Sequence, residues 1–118
     1  MPRNPSGDVL ASITDGLVAL HTRFYGKGPT AAKTHYMDNA VICFLWEGFT
    51  RVEETLIASG RGEAVADLRR SFQAAMEDDF TAVIETATGR QVSAYLSQVN
   101  IDPNMAVEIF LLQPPSAG

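Results

Sequence analysis

The sequence predicts an α+β domain with element order α-β-β-α-α-β-β and a four-stranded, mainly antiparallel sheet packed with helices. Three observations predict it. Apolar residues recur at three- and four-residue steps through two long segments, the signature of an amphipathic helix. Two short runs are apolar at nearly every position, and each is preceded across a turn by a more polar, alternating run. Glycines stand where each long helical pattern stops.

The first helix is expected from about Gly7 to Tyr25, because Leu10, Ile13, Leu17, Leu20 and Phe24 fall on one face. Ser6 or Asp8 can cap it, and Gly26 supplies the left-handed residue at its end. Ala31–Met37 and Ala40–Trp46 form a hairpin around Asp38-Asn39, two residues that tolerate left-handed backbone. Glu47-Gly48 breaks the second strand. Thr50 and Glu53 have the spacing of a capping box and open a short helix, about Arg51 to Ser59. Gly60-Arg61-Gly62 interrupts it, and a long helix then runs to about Thr88. Val65, Leu68, Phe72, Met76, Val83 and Ala87 make most of its stripe, with Ala75 and Phe80 flanking. Glu63, Asp67, Arg70, Gln73 and Glu77 fall opposite, a solvated face with helix ion pairs. Gly89 ends this helix. The last hairpin pairs Gln91–Val99 with Met105–Leu112 around the loop Asn100–Asn104. The ends, 1–6 and 113–118, are rich in Pro, Ser, Gly and Ala and read as frayed tails around a single domain over 7–112.

Two features go beyond the element order. Each long helix ends in Gly plus a basic residue (Gly26-Lys27 and Gly89-Arg90) and leads into a polar strand, a turn and an apolar strand. This is the pattern of a duplicated αββ unit. In addition, the strands Ala40–Trp46 and Met105–Leu112 are apolar on both faces, whereas an antiparallel sheet with one solvated face alternates. Either the helices divide between the faces or a second subunit covers one of them. A symmetric homodimer is the favoured expectation.

At 118 residues the chain has the size of one ordinary domain and can build a core without disulfide or metal staples. Its 46% apolar and 19% charged residues describe a globular protein. The longest apolar run is far too short to cross a bilayer. The opening Met1-Pro2-Arg3-Asn4-Pro5 has no apolar stretch, so no signal peptide is expected, and cytoplasmic residence is the default. Net charge is −5 and the nine basic residues are dispersed, which argues against a nucleic-acid footprint. Phe44, Trp46 and Phe110 lie in apolar strands and read as core. Cys43, the single cysteine, sits in the most apolar run and reads as a buried, inert thiol.

No catalytic constellation is legible, and the chain is expected not to be an enzyme. His21 and His35 read as surface or boundary residues. With one buried cysteine they cannot supply a structural zinc set. Glu53-Glu54 and Glu77-Asp78-Asp79 are neighbours on helices and do not face one another across a pocket. Asp102-Pro103-Asn104 lacks EF-hand spacing. No cofactor is implied. The most distinctive segment is the loop from Arg23 to Thr30. Gly26 and Gly28 allow close backbone approach, Lys27 and Arg23 bring charge, and Thr30 brings a hydroxyl. It is not a Walker A loop, and a helix C-terminus with its negative dipole end faces it. Two readings stay open: an anion or partner contact through these five residues, or a helix stop in which Lys27 compensates the dipole.

The chain resembles the MpsC-like family of small bacterial proteins. The resemblance rests on Arg23 to Pro29, on Thr50 with Glu53, on Ser59 to Gly62, on Leu68 to Phe72, on Thr88 to Val92 and on Ile101-Asp102-Pro103. It covers about residues 10 to 112. Arg51 stands where the family pattern has proline, which leaves the capping logic intact. The resemblance implies an accessory role beside a membrane-potential-generating system linked to sodium or inorganic-carbon transport, and it brings no catalytic residues. Together these readings lead to a cytoplasmic accessory or regulatory homodimer with a membrane-complex protein as partner, without membrane insertion. The alternative expectation is a binder or sensor of bicarbonate, phosphate or a nucleotide at the Gly26-Lys27-Gly28-Pro29 loop.

Overall fold

The computed structural model describes residues 6–114. The expected tails at 1–5 and 115–118 lie outside the described residues. Seven elements follow one another: α1 (Gly7–Tyr25), β1 (Ala31–Met37), β2 (Ala40–Trp46), α2 (Arg51–Ala58), α3 (Gly62–Thr88), β3 (Val92–Asn100) and β4 (Met105–Leu112). The predicted α+β class and element order hold. Ser6 Oγ accepts the Val9 amide at 3.3 Å and caps α1. Gly26 and Gly89 end α1 and α3 with φ of 78° and 69°, the region where a side chain would strain the backbone. Asp38 turns the first hairpin at φ 51°.

The sheet order is β1-β2-β4-β3, antiparallel throughout. The two apolar strands are therefore central neighbours and the two polar strands are the edges. Each αββ unit contributes one inner and one outer strand. In the central pair Val41 faces Phe110, Cys43 faces Glu108 and Leu45 faces Ala106. A half-turn about the centre of that pair maps Ala40–Trp46 onto Met105–Leu111, so the duplicated pattern reappears as an internal quasi-twofold of the sheet.

Burial alternates strictly along β2 and almost as strictly along β4. Val41, Cys43 and Leu45 meet Phe110 and Leu112 beneath Ile13 and Leu17 of α1 and Met76, Phe80 and Ile84 of α3. Both long helices thus lie on one face, and α2 packs on α3. No helix among the described residues covers the other face, which carries Ile42, Phe44, Trp46, Val107 and Ile109. This corrects the reading of Phe44 and Trp46 as core: only Phe110 of the three is enclosed, while the other two are half-buried on the open face.

The α3 stripe is also rotated from the sequence reading. Phe80 and Ile84 are fully buried, whereas Leu68 is 41% exposed and Arg69 takes the buried position one residue on. The helical step from Val65 is four, and four leads to Arg69. A reading that avoids charged residues slips to Leu68.

Candidate functional site

The loop residues singled out from the sequence send their polar groups to separate places. Gly26 donates its amide to Thr22 O at 2.8 Å, closing α1. Lys27 reaches the start of α2, where Nζ donates to Phe49 O at 3.0 Å and lies 3.6 Å from Glu54 Oε1. Gly28 lies against Thr22, whose hydroxyl donates back to Val18 O. Thr30 donates its amide to Trp46 O at 2.9 Å and begins the β1–β2 ladder. Arg23 is exposed, with its guanidinium over the Phe24 ring. The Lys27 ammonium therefore joins the α1–β1 loop to α2.

Beneath this loop is a cluster the sequence reading did not anticipate. Arg69 is 3% exposed and Glu53 is 1% exposed. Arg69 Nε donates to Glu53 Oε2 and Nη2 to Oε1, each at 2.6 Å, a fork-on-fork pair. Nη2 also donates to Gly48 O at 2.9 Å. Nη1 donates to His21 Nε2 at 3.2 Å, because arginine has no acceptor. The His21 proton therefore sits on Nδ1, which donates to Lys27 O at 2.9 Å. The guanidinium plane is 3.8 Å from the centre of the Tyr25 ring. Glu53 Oε1 meanwhile accepts the Thr50 amide at 2.8 Å and the Thr50 hydroxyl accepts the Glu53 amide, completing the predicted capping box.

The local sequence explains why these groups meet. His21 continues the four-residue step Ile13, Leu17, His21 on α1, and Arg69 continues Val65 on α3, so both point at the core. Gly48 lets the backbone pass under the imidazole: a Cβ there would lie 3.0 Å from His21 Nε2. One residue set thus ties the end of α1, the loop after it, the end of β2, the start of α2 and the first turns of α3.

Burial, and then the neighbouring Arg69 charge, push His21 down to about 4, so the imidazole is neutral near pH 7. Burial pushes the Glu53 carboxyl up, but the hydrogen bonds from Arg69 and from the Thr50 amide outweigh it and the net direction is down. Burial raises the Tyr25 hydroxyl to about 12. The cluster is an ion pair locked by neutral donors and acceptors. Four of the five Arg69 N–H groups have partners, and the cavity beside it, about 10 Å³ between Leu45, Phe49 and Met105, has room for about one water. Its chemistry is that of a clamp. His21, expected at the surface or boundary, is only 2% exposed. The available signals were its four-residue spacing from Leu17 and the four-residue step from Val65 to Arg69.

A second polar group lies on the covered face of the sheet. Glu108, 5% exposed, accepts the Tyr95 hydroxyl at 2.6 Å. Ser97 Oγ is buried opposite it in the ladder, outside hydrogen-bonding geometry. Burial pushes Glu108 up to about 7, with the facing Ser97 and Tyr95 hydroxyls holding it down in part. Cys43, its cross-strand neighbour, is fully buried, and burial raises its thiol to about 11, as the inert reading expected. At the far helix end Arg90 plays the part that Lys27 plays at the first. It donates to the Tyr36 hydroxyl, to Asn39 Oδ1 at 2.6 Å and to Gln113 O at 2.7 Å.

The family model described as Na+-translocating membrane potential-generating system (MpsC) matches residues 6–114, all seven elements. The chain belongs to the MpsC family. Comparison with curated proteins and with solved structures gives no match. The match to MpsC spans both Gly-basic helix ends and the Glu53–Arg69 clamp, and it links the chain to a membrane system. No helix among the described residues is long and apolar enough to cross a membrane. Among those residues, no three His, Cys, Asp or Glu side chains converge as a metal site.

Proposed function

We propose that this MpsC-family chain is a non-enzymatic accessory or regulatory module that works in the cytoplasm through protein–protein contacts, as a homodimer. Its further partner is a membrane-bound component of the potential-generating system its family is named for. The observation that carries the reading is that the fold commits its buried ionisable groups to itself. Arg69, Glu53 and His21 satisfy one another, and Glu108 is held by Tyr95. What this arrangement offers a partner is a rigid surface rather than a reactive group, and recognition by surface is what an accessory subunit needs.

The test is physiological. In cells lacking the chain, a potential-sensitive dye should report a reduced membrane potential, restored by the wild-type chain. An unchanged potential in the deletion strain, under conditions where the membrane system is expressed, overturns the accessory reading.

A further inference from the structure

We propose that the bare face of the sheet is the contact between two copies of this chain, packed face to face with the helices outermost. This rests on the homodimer reading above and gives it a surface.

The face has the layout of an interface core with a rim. Its centre is built by the outward residues of β2 and β4: Ile42, Phe44 and Trp46 beside Val107, Ile109 and Leu111. Its polar residues are confined to the edge strands, Lys33 and His35 on β1 and Gln98 and Asn100 on β3. No carboxylate stands on the outward positions of any of the four strands, although the chain carries 14 acidic residues. A charge-depleted apolar centre with a polar periphery is the composition of a buried homodimer interface. A solvated sheet face would instead alternate towards polar residues.

The quasi-twofold of the sheet points to a second copy as the occupant. A half-turn about the centre of the face exchanges Ile42 with Val107, Phe44 with Ile109, and Trp46 with Leu111. An isologous pair needs only a twofold axis lying in the plane of the contact, and the internal half-turn, perpendicular to that plane, lets the rows of one copy meet nearly equivalent rows of the other in either orientation. The one Lys, Arg, Asp or Glu on its outward strand positions, Lys33, sits at the rim, so two copies meet without like charges at the centre. The aromatic rows are already ordered: Phe44 stacks on Trp46 with centroids 5.8 Å apart, and His35 meets Phe44 edge-on at 5.7 Å.

The area is of the right order. Four strands about 4.8 Å apart, seven residues long at about 3.3 Å each, give a planar footprint of roughly 450 Å² before side-chain relief is added. That is over half of the roughly 800 Å² that each partner buries in a standard interface. It also falls within the roughly 300–600 Å² of the largest apolar patch on a typical monomer, a patch that is often a functional contact. Met37 and Leu96, 61% and 52% exposed at the margins, extend the apolar surface outward. Two sheets meeting this way sit about 10 Å apart, as in a sandwich.

Trp46 is the only tryptophan and lies on this face, so its emission reports the contact directly. The experiment combines light scattering with Trp46 fluorescence over a dilution series from high to low micromolar protein. The wild type is compared with Phe44→Asp, Leu96→Asp and the off-face control Val52→Asp, whose parent side chain is 68% exposed on α2. Far-UV circular dichroism establishes that each variant is folded, and Leu96→Asp serves if Phe44→Asp does not fold. The expected result is a wild type of twice the monomer mass whose Trp46 emission reddens on dilution. Phe44→Asp and Leu96→Asp should be folded monomers and Val52→Asp a dimer. Folded face variants that remain dimeric would overturn this surface and leave the dimer reading standing. A wild type that is monomeric throughout would overturn both. A monomer whose emission shifts to the blue only on adding phosphatidylcholine vesicles would replace the second copy with a lipid surface.

Discussion

On β2, Val41, Cys43 and Leu45 are buried under α1 and α3, while Ile42, Phe44 and Trp46, their immediate neighbours in the chain, lie on the bare side. The contrast runs opposite to the usual one. The covered side contains a carboxylate, Glu108, and the hydroxyls of Thr34, Tyr95 and Ser97, whereas the centre of the open side is wholly apolar. On the covered side most of these groups have partners within the chain: Thr34 pairs with Thr14 of α1 at 2.6 Å, and Tyr95 serves Glu108 within the sheet. The open side has no such partners within the chain and carries no groups at its centre that would need them. A face kept free of polar groups without a cover of its own is a face prepared for one from elsewhere.

The largest effects should separate the two sides. Phe110→Ala, on the covered side, is expected to cost about 3–5 kcal/mol in urea unfolding, the loss of a filled core position. Phe44→Ala in dilute protein should cost a small fraction of that, with the penalty growing at higher protein concentration as the dimer forms. Equal losses in dilute protein would break the comparison by showing that the chain itself seals both faces.

The clamp at the end of the covered layer comes next. Arg69→Met leaves Glu53 buried without its cation and should cost about 3–5 kcal/mol. Combining it with Glu53→Gln should cost clearly less than the sum of the two single changes, because removing both charges removes the orphan as well. Strict additivity in a double-mutant cycle would show that the two side chains do not stabilise each other.

The smallest effect is a pH dependence with two opposing parts. Glu108 has its folded value near 7 against an ordinary 4.5. Its contribution is therefore fully present below 4.5 and is lost as pH rises to 7, by up to about 3 kcal/mol. His21 has its folded value near 4 against 6.5. Its contribution is present above 6.5 and is lost as pH falls to 4, by a similar amount. The two nearly offset in the wild type between these limits. Glu108→Gln should uncover the His21 part, so that stability climbs steeply from pH 4 to 6.5. Thermal melts of this variant as flat as the wild type would refute the opposing contributions of Glu108 and His21.

Much of the fold was legible because its signals are local. Both glycine helix ends, the Thr50–Glu53 capping box and the Asp38 turn each depend on a few adjacent residues whose backbone preferences act without the rest of the chain. The strand pattern also said that both faces of the sheet seek cover. Arg69 was not legible as a core residue, because composition assigns a charged residue to the surface until its partners are known. Glu53 and His21 are 16 and 48 positions away from it. The Gly26–Lys27 loop was legible as a distinct segment. Only the fold showed that the Lys27 ammonium goes to Phe49 and Glu54.

The sequence by itself determined the elements and their order, the two apolar strands and the duplicated αββ pattern, with α2 ending at Ala58 rather than Ser59 and β3 running Val92–Asn100 rather than Gln91–Val99, since each follows from periodicity and backbone preference within one segment. Tertiary structure alone decided that the apolar strands are central neighbours, that both long helices lie on the same face, and that a buried arginine joins three helices. These depend on contacts between residues far apart in the chain, and periodicity within a segment specifies which residues share a face without specifying what that face will meet.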